Sequence, residues 1–214
     1  MHRYFVTGTD TEVGKTRVTA ALAAALRIDG QSPTIVKVVQ TGLGPGEPGD
    51  AAHAARLAGV RHLELARFRK PADPWSAALA EPAPCVYASD LAHAIDAVKG
   101  SVVVEGAGGL AVPLNANENF ASVAALAKLR TILTVGLRLG CINHALLTLV
   151  LCEQHRIPVA GAVLVHRWQD AGEAYAADVA RALQGKVQIL GILPFDPDEQ
   201  SAVEQGAQVF VPLL

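Results

Sequence analysis

Short, continuous apolar runs alternate with longer, alanine-rich stretches along most of the chain. The apolar runs predict strands at 3–8, 33–42, 101–109, 130–138, 158–167 and 187–195. The longer stretches predict helices at 15–28, 50–59, 89–100, 121–129, 142–156 and 171–183. Because the apolar runs do not alternate with polar residues, we expect strands that are buried on both faces. The order of elements predicts an α/β fold with a doubly wound, mostly parallel sheet flanked by helices.

The bulk composition is that of a soluble globular protein. The chain has 214 residues, of which 51% are hydrophobic and 18% charged, and this favours a single domain over 1–214. A net charge of −2 gives no reason to expect nucleic acid or an anionic membrane as a partner. No apolar run reaches about 18 residues, which argues against a membrane span. The first predicted strand begins almost at once, which leaves no room for a signal peptide.

The cysteines are few and scattered. Cys85, Cys141 and Cys152 show no CxxC spacing, so they give neither a metal site nor a disulfide framework. Free cysteines of this kind fit the reducing cytoplasm, and the simplest interpretation of each is a small buried hydrophobic residue. A cytoplasmic location is therefore expected.

The stretch "TGTDTEVGKT" connects the first predicted strand to the first predicted helix. Its last three residues, Gly14, Lys15 and Thr16, are typical of the end of a phosphate-binding loop. Backbone amides at a helix N-terminus attract anions, a lysine there neutralises terminal phosphates, and the threonine hydroxyl can bind Mg²⁺. The placement between a strand and a helix therefore predicts a nucleotide site, in preference to a merely polar turn.

The front half of this loop departs from the usual phosphate-loop spacing. Five residues separate Gly8 from Gly14, whereas the usual motif has four. Asp10 and Glu12 also bring negative charge to a place where phosphates are expected. We hypothesise that Asp10 turns away from the phosphates and that Glu12 lies over the ribose side of the nucleotide.

Charged side chains also stand at the ends of other predicted strands, which is where ligands bind in this class of fold. Lys37 interrupts the apolar "TIVKVV" and is either a lysine that reaches solvent or an ammonium that meets a buried anion. Asp50 opens a predicted helix, where capping and ligand binding are compatible roles. Glu105 follows the apolar run "SVVV" and precedes "GAGG". In phosphate-loop proteins, the carboxylate that holds Mg²⁺ likewise stands at the end of an apolar strand. A further helix start, at 140–143, is a second candidate site for an anion.

Taken together, these motifs resemble those of the dethiobiotin synthetases, ATP-dependent carboxylases of the biotin pathway. The resemblance spans nearly the whole chain and rests on "YFVTGTDTEVGKT", "KVVQTG", Asp50, "VVVEGAGGLAVPL", "LGCINHALLT" and "LGILPF", in family order and spacing. It implies a P-loop NTPase-like homodimer that converts 7,8-diaminononanoate, CO₂ and MgATP to dethiobiotin, ADP and phosphate. It also implies that no nucleophilic side chain is needed.

The resemblance assigns roles to residues by position. Catalysis would involve Lys37, Lys15 and Thr11, and Mg²⁺ would be held by Thr16, Asp50 and Glu105. Nucleotide contacts would come from Glu12, Val13, Gly14, Lys15, Thr16, Arg17, Asp50, Glu105, Gly106, Ala107 and Gly108, with Leu193, Pro194 and Phe195 lining the base pocket. The substrate would meet Thr11, Lys37 and Thr41, and its carboxylate tail would bind Gly140, Cys141, Ile142 and Asn143 across the dimer interface.

The chain departs from the family pattern at two places. The family usually carries Asn-Asp just after the strand equivalent to 158–165, where the Asn recognises adenine, and this chain has His166 and Arg167 instead. The preferred nucleoside triphosphate therefore stays open. In the second strand region, "VVQTG" replaces the favoured Pro-Val-x-[Ser/Thr]-Gly but keeps the hydroxyl of Thr41.

Other kinds of protein share this fold. Partner-positioning ATPases of the ParA and MinD kind carry a signature lysine five residues before the P-loop lysine, and Asp10 stands at that position here. A cobyrinate-type amide synthetase would need a glutaminase domain, for which 214 residues leave no space. A non-enzymatic nucleotide-binding module would leave Lys37 and Glu105 without a purpose.

Overall fold

A parallel sheet runs through the middle of the protein in the computed structural model, which describes residues 1–167 and 173–214. Its strands are β1 (Arg3–Gly8), β2 (Thr34–Lys37), β4 (Arg61–Glu64), β6 (Val102–Gly109), β7 (Arg130–Gly136), β8 (Val159–Val165) and β9 (Ile189–Leu193). Beside it, β3 (Gln40–Thr41) and β5 (Arg67–Phe68) form a short parallel ladder. The strand order in the large sheet is β4-β2-β6-β1-β7-β8-β9.

Helices cover both faces of this sheet. They are α1 (Lys15–Ile28), α2 (Asp50–Ala58), α3 (Pro74–Ala80), α4 (Ala88–Asp96), α5 (Phe120–Leu126), α6 (Cys141–Gln154), α7 (Glu173–Leu183) and α8 (Glu199–Ala207), followed by a 3₁₀ helix at Gln208–Leu213. Successive residues of β1 enter different cores: Tyr4 and Val6 pack with α1, α2 and α8, whereas Phe5 packs with α4 and α5. The predicted doubly wound α/β fold is therefore confirmed, with both faces of the central strands buried.

The strand register determines which side chains meet at the edge of the sheet. β1 lies between β6 and β7, so the order of strands reverses around it. Glu105 on β6 pairs with Val6 on one side and with Lys37 of β2 on the other. Because all these strands are parallel, their carboxyl ends open onto one edge, directly beside the loop that leaves β1.

The structure corrects several predicted elements. The strand expected at 33–42 ends at Lys37 and resumes only at Gln40 in a different ladder, and the helix expected to run to Gly100 ends at Asp96. Five of the described elements were not predicted: β4, β5, α3, α8 and the 3₁₀ helix at Gln208–Leu213. The strand β4 is hard to see in the sequence because three of the four residues in "RHLE" are polar, as suits an exposed edge strand. The first two residues of the predicted helix 171–183 lie outside the described residues.

None of the helices in the described ranges combines the length and apolarity needed to cross a lipid bilayer.

A candidate nucleotide and substrate site

The loop between β1 and α1 has an unusual backbone conformation at two residues, Gly14 and Glu12. Gly14 caps α1 with φ 95° and lies against β8, where a Cβ would stand 2.9 Å from Val165 Cγ1. Only glycine combines this left-handed conformation with so close an approach. Val13 is buried under the loop, whereas Glu12 has φ 52°, which is uncommon for a residue with a side chain. Such a backbone conformation is a feature of functional loops.

Lys15 lies folded within this loop. Its side chain is buried, and Nζ donates a hydrogen bond to the backbone oxygen of Asp10 at 2.8 Å. Burial lowers the pKa of Lys15 to about 8, although the carboxylate of Glu105 works in the opposite direction. The ammonium therefore has one fixed partner and remains positioned for further anionic oxygens.

Lys37 is the centre of a buried charge cluster. Its Nζ lies 2.5 Å from Asp50 Oδ2 and 2.9 Å from Glu105 Oε1, and it donates to the backbone oxygen of Gly106 at 3.0 Å. Burial alone would lower the pKa of Lys37, but the two carboxylates outweigh it and raise that pKa above its ordinary value. The predicted alternative of a lysine reaching solvent is wrong, because the side chain is 3% exposed.

Oxygen ligands for a divalent cation converge beside Lys37. The hydroxyl of Thr16 donates to Glu105 Oε1 at 3.0 Å, so the P-loop threonine and the end of β6 are in contact. The other carboxylate oxygen of Glu105, Oε2, is buried without a hydrogen-bond partner in the described part of the chain. A buried, unsatisfied carboxylate oxygen next to a hydroxyl and a second carboxylate, Asp50, is a donor set that suits Mg²⁺. This donor set has only two carboxylates. Among the described residues, no cluster of three or more His, Cys, Asp or Glu side chains is placed to hold a metal ion.

A cavity of about 780 Å³ opens over these residues. It brings together most of the residues that the sequence predicts for phosphate, metal and substrate: Thr11, Glu12, Gly14, Lys15, Thr16, Lys37, Thr41, Asp50, Glu105, Ala107 and Gly108. Gly108 adopts φ 66° and lies beside Thr11, so the turn after β6 and the long P-loop form one wall. The same cavity is large enough for a small-molecule substrate and the end of a nucleotide.

A smaller crevice of about 320 Å³ continues from the P-loop towards α8. Gly14, Thr16 and Arg17 line it on one side, and Phe195 lines it on the other. Of the predicted base-pocket residues, Leu193 is buried in the core and Pro194 offers its backbone oxygen to Arg17. The crevice is also lined by residues for which no role was predicted: His53, His166, Arg167, Asp196 and Glu199.

The two acidic residues of the loop point to arginines. Asp10 forms an ion pair with Arg138, and its carboxylate also accepts the backbone N–H of Thr11 at 2.7 Å. Glu12 Oε2 lies 3.7 Å from Arg167, at the end of β8, although the glutamate side chain is 81% exposed. The negative charges that looked out of place beside phosphates therefore each have a cationic neighbour.

Some predicted residues stand apart from the cavity. Gly140, with φ 92°, caps α6 and is followed by Cys141, Ile142 and Asn143, but none of the four lines the cavity. The resemblance implies that these residues bind the substrate held by the other subunit of a dimer. Under that expectation they need not line the cavity of their own chain. Conversely, the cavity wall includes Gln40 and Val112, which lie in quoted motifs but received no role, and the segment 71–74, which no motif identifies.

The geometry defines a class of protein. A parallel sheet with a phosphate-binding loop after β1 and a carboxylate at the end of β6 is the arrangement of the P-loop NTPases. Solved structures agree on the fold: the cell division ATPase MinD from Pyrococcus furiosus has a TM-score of 0.59 at 20% identity, covering 99% of this chain and 91% of that one. The cell division protein FtsY from Thermotoga maritima has a TM-score of 0.60 at 19% identity, covering 96% and 68%.

Sequence comparison narrows the class to a family. Residues 2–202 match the family described as AAA domain. The ATP-dependent dethiobiotin synthetase BioD of Anaeromyxobacter dehalogenans (strain 2CP-C) is 39% identical over 207 residues, which cover 92% of each chain. The enzyme of the same name from Rhodococcus jostii (strain RHA1) is 38% identical over 211 residues, covering 94% of this chain and 90% of that one. The chain belongs to the ATP-dependent dethiobiotin synthetases, which are ligases, and the resemblance seen in its motifs is confirmed.

Proposed function

We propose that this protein joins CO₂ to 7,8-diaminononanoate at the expense of ATP and closes the ureido ring of dethiobiotin. The single observation that supports this most directly is the position of Lys37, a buried cation between Asp50 and Glu105 at the mouth of the phosphate loop. The partner-positioning ATPases carry their second lysine in the phosphate loop, where this chain has Asp10, whereas here the second lysine is buried at the end of β2. A carbamate that must approach a triphosphate needs such a cation, because both partners are anions.

The nucleotide would be held by the loop between β1 and α1. The amides at the start of α1 would face its phosphates, and Lys15 would exchange the backbone oxygen of Asp10 for phosphate oxygens. Arg17 and Phe195 would lie along the base and ribose in the smaller crevice. No Asn stands after β8 to recognise adenine, so we expect several nucleoside triphosphates to be accepted.

A Mg²⁺ ion fits the oxygen atoms of Thr16, Asp50 and Glu105, because Glu105 Oε2 has no hydrogen-bond partner among the described residues. When bound, the cation would supply charge neutralisation for the phosphate groups. The residues themselves would act by position: Thr16 already contacts Glu105, and Lys37 holds both carboxylates on the cavity side.

The chemistry has two bond-making stages after the carbamate forms. In the first, a carbamate oxygen attacks the γ-phosphorus in line, the bond to the ADP oxygen breaks, and a carbamic–phosphoric anhydride results. In the second, the neighbouring amine attacks the carbonyl carbon, loses a proton, and expels phosphate together with the bridging oxygen. Lys37 would neutralise the carbamate and Lys15 the transferring phosphoryl group, while Thr11 and Thr41 would orient the amine end. Positioning and charge neutralisation are the main sources of rate in such transfers.

A homodimer would complete the substrate site. Helix α6 presents an unusual number of apolar side chains to solvent, with Leu147 and Val150 60% and 50% exposed and the preceding Leu139 94% exposed. A contiguous apolar helix face on a soluble protein is typical of a contact between subunits. Pairing through α6 would carry the helix start at 140–143 to the substrate of the other subunit. The cytoplasmic setting, without nucleic acid or membrane, stays a prediction from the sequence.

Product formation tests the proposal. Purified protein is mixed with 7,8-diaminononanoate, bicarbonate and Mg²⁺, and with ATP, CTP, GTP or UTP in turn. We expect dethiobiotin by mass spectrometry and an equal amount of phosphate, with both products lost when the diamine is left out. Absence of diamine-dependent phosphate release with all four nucleotides would contradict the proposal.

A further inference from the structure

The large cavity carries several charged side chains, and almost all of its carboxylates have a cationic partner. Asp50 and Glu105 share Lys37, and Glu12 lies beside Arg167. The proposed Mg²⁺ would balance the charge that Lys37 leaves on Asp50 and Glu105, whereas Lys15, which is hydrogen-bonded to the backbone oxygen of Asp10, is positioned for phosphate. Each of these groups therefore has a cationic partner or suits the nucleotide and its metal.

Asp73 is different from the other cavity carboxylates. It lies in the cavity wall within the segment 71–74, between β5 and α3, and within the described ranges it forms no ion pair. Its Oδ1 accepts the backbone N–H of Ser76 at 2.9 Å, so the carboxylate is fixed as the N-cap of α3. Burial works to raise the pKa of Asp73, but hydrogen bonds from Ser76 and neighbouring amides outweigh it and hold that pKa below its ordinary value. At neutral pH Asp73 is therefore a fixed negative charge in the cavity, and no described residue forms an ion pair with it.

The capping role of Asp73 does not explain why a charged residue stands at this position in the cavity wall. Asn caps a helix about as well as Asp, and so does Ser, so the cap itself does not require a charge. An uncompensated carboxylate in a concave, partly desolvated site attracts cations. The proposed substrate brings cations, because aliphatic amines are protonated at neutral pH, much as the lysine side chain is.

We propose that Asp73 is a specificity-determining residue that binds an ammonium group of the diamine substrate. This inference rests on the proposed function and adds to it the recognition of the cationic end of the substrate. The bond would be a charge-assisted hydrogen bond from the ammonium to the carboxylate. Asp73 would thereby select amines over neutral or anionic molecules of similar length.

The test uses Asp73→Asn, which keeps the helix cap and removes the charge. Calorimetry measures the affinity of the purified variant for 7,8-diaminononanoate, and steady-state assays measure KM for the diamine and for the nucleotide. We expect the diamine affinity to fall and its KM to rise about tenfold or more, with the nucleotide KM unchanged. The matched control is Asp198→Asn, since Asp198 caps α8 in the same way but does not line the cavity. That variant should leave the diamine affinity as in the wild type.

The binding measurement and the turnover assay together distinguish a failure of this inference from a failure of the proposed function. If Asp73→Asn binds and uses the diamine as well as the wild type does, while remaining folded by thermal denaturation, Asp73 is only a helix cap and the inference is wrong. If the wild type binds the diamine through Asp73 but forms no dethiobiotin, the proposed function fails while the ammonium site stands. If the wild type neither binds nor uses the diamine, both are overturned.

Discussion

At the scale of single residues, the organisation of the site depends on Lys37 more than on any other side chain. Its position inside an apolar strand is visible in the sequence, and so is the acidic residue that follows "SVVV". The short distance between the two side chains is not visible in the sequence, because it requires β2 and β6 to be neighbours with Lys37 opposite Glu105. The sequence therefore predicts the participants of the charge cluster, whereas the register that joins them comes from the fold.

The first prediction concerns the stability that Lys37 provides. From the sequence, replacement of Lys37 by Ala is expected to abolish turnover while leaving folding intact. The structure also predicts a loss of stability, because removing the ammonium takes away the cationic partner of Glu105, whose side chain is 1% exposed. For Lys37→Met we expect a loss of about 3 kcal/mol in the free energy of unfolding. The melting temperature should fall by about 10 °C.

The double variant Lys37→Met with Glu105→Gln is the control for this charge effect. It removes the buried carboxylate charge together with the ammonium, so it should recover much of the lost melting temperature while remaining inactive. Equal stability of Lys37→Met and the wild type in thermal denaturation would show that the cluster is not held together by this lysine.

A second prediction at this scale concerns Lys15 and pH. Its pKa of about 8 in the nucleotide-free protein is lowered by burial, so the ammonium is charged below that pH and loses its proton above it. Because only the charged form neutralises phosphate, nucleotide affinity should weaken as the pH rises through about 8, approaching tenfold per unit above it. Titration of a fluorescent nucleotide between about pH 7.5 and pH 9.5 measures this. Lys15→Ala should bind weakly at all these values, and an unchanged wild-type affinity across the range would rule out the role of Lys15.

At the scale of elements, the predictions succeed where buried periodicity is strong and fail where it is weak. The helix predicted at 15–28 is confirmed to the residue, because it is buried along most of its length and ends in a clear break before Gly30. The helix α3 was missed because "PWSAALA" is short and has one proline shortly before it and another as its first residue, although Asp73 and Pro74 form a recognisable start. The missed helix carries part of the cavity wall, so the sequence predicts the phosphate side of the site better than the substrate side.

The third prediction belongs to helix α6. If its apolar face pairs two copies of the chain, Leu147→Glu should place a charge in the interface and shift the protein towards a monomer. Light scattering after size-exclusion chromatography measures the mass directly. Ile28→Glu at the end of α1 is a matched control, because Ile28 is 65% exposed and belongs to another surface. A dimer that survives Leu147→Glu would show that α6 is not the contact.

At the scale of the whole molecule, the site is a consequence of where the sheet reverses its order. β1 is flanked by β6 and β7, so its loop stands beside the ends of β6 and β2 and meets β8 through Gly14. The cell division ATPase MinD has a similar fold. What separates this chain from such proteins is the group that attacks the nucleotide: a carbamate oxygen in the proposed reaction, and water in hydrolysis.

The origin of the phosphate oxygen tests that difference most directly. The enzyme is given the diamine, nucleotide and freshly dissolved ¹⁸O-labelled bicarbonate in ordinary water, and the phosphate released in the first turnovers is analysed by mass spectrometry. The proposed mechanism predicts phosphate that carries an oxygen from the labelled carbamate, because ring closure expels the bridging oxygen with phosphorus. Unlabelled phosphate formed alongside dethiobiotin would contradict it, since the nucleotide would then have been split by water rather than by the substrate held at Lys37.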